Sequence, residues 1–222
     1  LSYLVSARAN HGAHPYMNLY EGNIYSHITA DSYWGSSSHN VFFRNWLWGN
    51  ETSPVAPSIA SPNWGFSPLD VWYNQNYYSF VGNVIGTPVG TPTNVATVNW
   101  STYSIRTTGC SQSGNAIYDY GCNSNGQYSA TTNSTSINHG NYDYKTNGVA
   151  YWEGGTNHAL QNSMYYSSKP SFFGSCTWPA FGSDLAPVTN TLPAKARFDG
   201  NTSCGSSAPL PPPPVNLTGT PH

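Results

Sequence analysis

Charge is scarce in this chain: 7% of its 222 residues are Asp, Glu, Lys or Arg, where an average soluble domain carries about 25%. Seven basic and nine acidic side chains leave a formal net charge of −2 and form no basic cluster. That balance excludes charge-driven recognition of nucleic acid or of an anionic membrane surface. No apolar run approaches the roughly 20 residues of a membrane-spanning helix, so no membrane insertion is expected. No segment keeps the i, i+3, i+4, i+7 apolar pattern over three turns, and 21 Gly and 17 Pro interrupt the chain throughout. No G-x-S-x-G elbow, phosphate-binding loop or dinucleotide fingerprint occurs. The four cysteines form no C-x-x-C pair, which argues against a zinc ribbon or a thioredoxin-type site.

What is abundant is neutral. Aromatic residues reach 15%, led by 17 Tyr and 8 Trp, and Asn, Ser, Thr and Gly supply most of the remainder. Such surfaces suit sugars, whose hydroxyls exchange hydrogen bonds with amides and whose ring faces stack on aromatics. The same residues also serve as turns and ladders in a β protein. Short runs of Val, Ile, Phe, Tyr and Trp bounded by Gly, Asn and Ser read as strands. An even count of cysteines in a low-charge chain fits an oxidising compartment, hence a secreted or cell-surface location. Local loop closure favours the pairs Cys110–Cys122 and Cys176–Cys204 among the three connectivities. Leu1 opens directly on strand-like sequence and APLPPPPVNLTGTPH closes the chain. The expectation is a β domain over 1–204 and a Pro-rich linker over 205–222, cut from a longer secreted protein, the tail resembling the first strand of a fibronectin type III module.

A repeat organises the interior. Asn18–Ile24 lies over Asn40–Trp46 at an offset of 22 residues, and the stretches around Asn83 and Asn147 echo the pattern. In stacked parallel turns the equivalent Asn23, Asn45, Asn83 and Asn147 would form an amide ladder with a structural role. Residues 51–70 read as a Pro/Ser-rich loop and 86–141 as a larger insertion. Residues 170–204 read as a closing cap, with Trp178 and Phe181 covering the last turn.

The segments HGAHPYMNLYEGN (11–23), YWGSSSHNVFFRN (33–45), HGNYDYKTNGVAYWEG (139–154), NSMYYSSKPSFFGS (162–175) and WPAFG (178–182) resemble bacterial secreted proteins of the pectate-lyase-like family. The resemblance covers most of 11–182 outside the two loops. It implies an all-β, right-handed parallel β-helix, a solenoid with long loops and a C-terminal cap. It does not specify an activity, because that superfamily spans lyases, hydrolases and adhesins. The family's Asp-rich and Arg-rich catalytic signatures are missing from this chain.

Candidate chemistry comes from the densest polar stretch. Glu21, Asp31, His39 and Arg44 are the candidate catalytic residues: Arg or His could abstract a proton from a uronic acid in β-elimination, or Glu21 and Asp31 could form a glycosidase pair. His11, His14, Trp34, Trp48 and Tyr73 are the candidate substrate-binding residues. For each, the competing reading is structural, a Glu–Arg pair between strands or histidines bonded to loop backbone. His11-x-x-His14 lacks a third ligand nearby, so no metal site is assigned. No cofactor is indicated, although calcium is the ion for which the scattered Asp119, Asp143, Glu153, Asp184 and Asp199 leave room. The expected partner is a polysaccharide, which the protein binds and could cleave by lyase or glycosidase chemistry. The alternative is a non-catalytic adhesive protein that self-associates into fibres.

Overall fold

In the computed structural model the described residues are 7–49, 67–88, 100–110, 116–153, 156–200 and 204. Short strands follow the apolar runs in order. The first turn of chain holds β1 (Ala7–Asn10), β2 (Leu19–Glu21), β3 (Ile24–Tyr25) and β4 (Ile28–Ala30). The next holds β5 (Val41–Phe43), β6 (Trp46–Leu47) and β7 (Leu69–Val71), then β8 (Ser79–Val81) and β9 (Val84–Ile85). After these come β10 (Ser104–Arg106), β11 (Ala116–Tyr120), the short helix α1 (Ala130–Thr135), β12 (Ile137–Asp143), β13 (Gly148–Trp152) and α2 (Pro193–Phe198).

The 22-residue offset is a real pairing register. Leu19 faces Val41, Glu21 faces Phe43 and Ile24 faces Trp46, all parallel. A solenoid of stacked complete turns is nevertheless not what forms, which corrects the β-helix expectation. The strands divide between two separate sheets, in the orders β1-β4-β7-β11-β10 and β2-β5-β8-β12-β9-β6-β3, and the larger one curls into a half-barrel. The physical reason is that the period does not hold. Equivalent asparagines are 22, then 38, then 58 residues apart. Strand β12 runs on through two positions, pairing β8 with its first half and β9 with its second. Strand β13 then adds an antiparallel partner. The segment read as a loop over 86–141 thus contributes β10, β11 and α1, and Leu69 and Asp70 of the supposed 51–70 loop are strand; residues 50–66 lie outside the described part, as do 205–222.

The amide ladder exists. The backbone N–H and Nδ2 of Asn23 both donate to Oδ1 of Asn45 at 3.0 Å, Asn45 repeats this on Asn83, and Asn83 on Asn141. Asn141, not Asn147, completes it. The residue before each ladder Asn is left-handed: Gly22, Arg44, Gly82 and Gly140 have φ of 70°, 50°, 63° and 65°. Gly tolerates that conformation freely, so Gly-Asn is the signature, whereas Asn147-Gly148 is the reverse pair. Asn147 sits beyond β12, where its Oδ1 accepts from the Tyr142 hydroxyl at 2.9 Å. Because Asn83 is fully buried and serves both neighbours, Asn83→Ala is expected to cost at least about 2 kcal/mol in urea unfolding, from orphaned groups on either side. Asn23→Ala, half-buried at the ladder's end, should cost clearly less; equal losses would contradict a cooperative ladder.

Inside, an aromatic stack runs parallel to the ladder. Tyr20, Phe42, Phe80 and Tyr120 follow one another with centroids 4.5, 5.3 and 5.8 Å apart and near-parallel planes. The stack leaves the larger sheet where Asn138 pairs beside Phe80; there Tyr120, arriving from the other sheet, donates its hydroxyl to Asn138 at 2.7 Å. A second core of Val84, Phe173, Cys176, Ala180 and Phe181 packs with Ile24 and Trp46. The described residues of 170–204 therefore cover the flank of β3, β6 and β9 rather than capping a last turn. Both disulfides, Cys110–Cys122 and Cys176–Cys204, are formed.

Candidate functional site

Strands β4, β7 and β11 each place one polar residue between two fully buried apolar ones: Thr29 between Ile28 and Ala30, Asp70 between Leu69 and Val71, Asp119 between Tyr118 and Tyr120. Alternation turns these three outward. They are in register, Thr29 beside Asp70 and Asp70 beside Asp119. Neighbouring strands lie about 4.8 Å apart, so two half-buried carboxyls share one row on the outer face of the sheet. At the next position Thr107 donates its hydroxyl to Asp119 at 3.1 Å, and Ser67 also bonds Asp119. The Trp72 indole donates to Asp70 at 2.7 Å.

The electrostatics of the pair follow from this layout. Burial pushes the Asp70 carboxyl up to about 8, the Asp119 charge adds to this, the Trp72 hydrogen bond opposes it, and the Asp31 charge adds a smaller upward push. Burial also raises Asp119, but the Thr107 and Ser67 hydrogen bonds act to hold its anion. At neutral pH, Asp70 therefore carries a proton. Two adjacent carboxyls cannot both ionise cheaply, and their neighbours choose which one keeps the proton.

A cleft of about 540 Å³ opens where these strands end, lined by Tyr33, Trp72, Tyr73, Asn74, Asn123 and Gln127 among others. Trp72 joins it to Asp70. Tyr33 joins it to Asp31, whose Oδ1 accepts from the Tyr33 backbone at 3.0 Å and whose Oδ2 meets His11 Nδ1 at 2.7 Å. The Tyr33 ring lies over His11 and meets Trp34 edge-on, and both Tyr33 and Trp34 are largely exposed. A buried amide network sets this loop. Asn10 donates to the carbonyls of Asp31 and Gly35 and to Gln75, which also accepts from the Ser37 backbone and hydroxyl. Ser37 in turn bonds the Tyr78 hydroxyl, raised to about 12 by burial.

The residues singled out from the sequence separate. Tyr73 lines this cleft, and Asp31, His11 and Trp34 adjoin it through their contacts with Tyr33. Glu21 is elsewhere, accepting from the Ser163 hydroxyl and, at 2.9 Å, from the Met164 backbone. Arg44 is 1% exposed and pairs with Asp184, not with Glu21. His39 stacks on Tyr77 at 4.8 Å and meets Tyr16 edge-on, with Ser38 on its Nδ1. His14 is exposed on a shallow hollow beside Tyr16. Trp48 is half-buried against Trp46, so its ring is no open platform. Glu21 and Arg44 share the lining of one cavity without pairing, while Asp31 and His39 do not line it, so the four side chains do not form one centre. Asp70 was missed because it lay in a stretch read as irregular, and Asp119 because it looked scattered. A lone Asp between apolar residues, as in LDV and YDY, was the available signal.

Among the described residues no group of three or more His, Cys, Asp or Glu is arranged to hold a metal ion, and no helix is long and apolar enough to cross a membrane. The two disulfides are compatible with an extracellular protein. No family model, no curated protein and no solved structure matches the chain.

Proposed function

We propose that the protein is carbohydrate-active and hydrolyses a glycosidic bond with Asp70 as general acid and Asp119 as its carboxylate partner. The observation that carries this reading is the in-register Asp70–Asp119 pair in which one carboxyl is pushed up to about 8 beside a partner whose anion is hydrogen-bonded. Strand spacing of about 4.8 Å matches the short carboxyl separation of retaining glycosidases, about 5 Å, rather than the wider gap that admits a water. In that scheme Asp119 attacks the anomeric carbon while the bond to the leaving oxygen breaks, and Asp70 passes its proton to that oxygen. Water then releases the sugar from Asp119, giving a proton back to Asp70. Amide side chains and aromatic faces in the cleft suit a neutral sugar chain, with Trp72 and Tyr73 stacking on rings and Asn74, Asn123 and Gln127 meeting hydroxyls.

The test is a panel of neutral and uronic polysaccharides assayed for new reducing ends and, separately, for unsaturated products. The expected result is reducing ends of retained anomeric configuration, with the rate falling as pH rises through about 8, where Asp70 loses its proton. Unsaturated ends, or no cleavage of any glycan, would overturn the hydrolytic assignment.

A further inference from the structure

A second cavity, about 510 Å³, lies away from the carboxylate row, between the turn after β2, the 162–180 segment and α2. Its walls are mostly apolar, with an aromatic group on one side. Tyr165, Tyr166 and Phe172 are among the exposed large apolar residues of the protein, at 76%, 43% and 42%, and all three line it together with Trp178. Tyr165 meets Tyr166 edge-on at 4.8 Å, so the rings form a set rather than scattered contacts.

Three charged residues line the cavity: Glu21, Arg44 and Arg197. Two are already satisfied. Both Glu21 oxygens accept hydrogen bonds from the Ser163–Met164 turn. Arg44 is saturated by Asp184 and three carbonyls. Arg197, in the last turn of α2, differs: its Nε is buried and has no hydrogen-bond partner among the described residues. Asp199, the nearest acid in sequence, is engaged with Lys195 at 2.5 Å. A cation on an apolar wall, with no carboxylate paired to it among the described residues, is a place where a bound anion is favoured.

We infer that this cavity binds a flat aromatic ring carrying a single carboxylate, the ring against the aromatic group and the carboxylate on Arg197. The size fits, since small-molecule sites run from about 300 to 1,000 Å³. The apolar walls exclude a strongly hydrated ligand. The Glu21 carboxylate on the same cavity disfavours a dianion such as phosphate. A sugar fits less well than in the Trp72 cleft, because these walls carry fewer amide and hydroxyl side chains. This inference stands apart from the hydrolytic proposal and survives its failure.

Calorimetric titration of the intact protein with 4-hydroxycinnamate, its primary amide and acetate tests it. The acid is expected to bind about 10-fold or more tightly than the amide, as a charge-assisted hydrogen bond requires, and acetate not measurably. Arg197→Met should weaken the acid by a similar factor and leave the amide unchanged, with the near-UV spectrum reporting an intact fold. Equal binding of acid and amide to the parent protein, no binding of either, or an undiminished affinity for the acid in a folded Arg197→Met protein would each overturn the assignment. The comparison of ligands on the parent protein decides the matter even if that variant fails to fold.

Discussion

Asp70→Asn is expected to be more stable than the parent protein at pH 9 and far less active. The folded chain keeps the Asp70 proton up to a pH of about 8, whereas the same carboxyl in the unfolded chain titrates near 4. Between those values the native state holds a proton that the unfolded state has lost. Native stability therefore declines as pH rises across that window, by at most ~1.4 kcal/mol per pH unit, and levels off once Asp70 ionises. Asparagine has the shape of the protonated acid, keeps an oxygen for the Trp72 indole, and never ionises. The variant and parent should unfold at similar urea concentrations near pH 4 and diverge by ~2–5 kcal/mol at pH 9. Activity should move the other way, because an amide donates no proton to a leaving group; a loss of ~10²–10⁴ is the usual scale. Removing the neighbouring charge with Asp119→Asn should shift the stability decline to lower pH for want of like-charge repulsion. Parallel pH curves for parent and Asp70→Asn would refute the coupled pair.

Arg44→Met is expected to lose ~2–3 kcal/mol, the scale of lost charge-assisted hydrogen bonds and below that of a fully buried ion pair, because the Asp184 left behind is 38% exposed. Arg44 Nη1 and Nη2 donate to the two Asp184 oxygens at 2.8 Å each, Nε donates to Gln161 O at 2.8 Å and Nη1 also to Phe181 O at 3.0 Å. One side chain thereby joins the strand turn to two later segments, and Gly182 packs so closely on the guanidinium that a Cβ there has no room. Burial pushes the Asp184 carboxyl up, but the Arg44 hydrogen bonds and charge outweigh it and hold it below its ordinary value. The pair therefore stabilises the fold above the normal carboxylate range and weakens as pH falls through it, so parent and variant should converge in acid. Arg44→Gly separates two effects. It loses the same bonds but relieves the left-handed φ of 50°, and should be about 1 kcal/mol less damaging than Met. Urea midpoints, with proteolysis of the 156–190 region as a local probe, give the answer. A Met variant as stable as the parent would show that the C-terminal segment is held on the flank by its own apolar core alone.

What could be read directly from the chain was local. The strand class follows from short apolar runs between Gly and Asn, and the pairing of Asn18–Ile24 with Asn40–Trp46 follows from the 22-residue offset. Both disulfides close short loops and were recoverable from spacing. Three ladder asparagines were identifiable; the fourth was misplaced because the left-handed residue precedes the Asn, and Arg44, standing where glycine stands elsewhere, hid that rule. The solenoid inference failed for a related reason: one measured period was extended across insertions that changed it to 38 and 58 residues.

The tertiary structure alone decided the sites. Asp70 and Asp119 lie 49 positions apart and become neighbours only because β7 and β11 pair in register. Arg44 finds Asp184 across 140 residues, and Arg197 reaches the aromatic cavity from the far end of the described chain. A strand's alternation says which side chains share a face, and a turn's backbone says which residue must be left-handed; both are short-range constraints. Which strand lies beside which depends on loop closures that carry no periodic signal, and the acidity of a carboxyl depends on what burial and neighbours those closures bring to it.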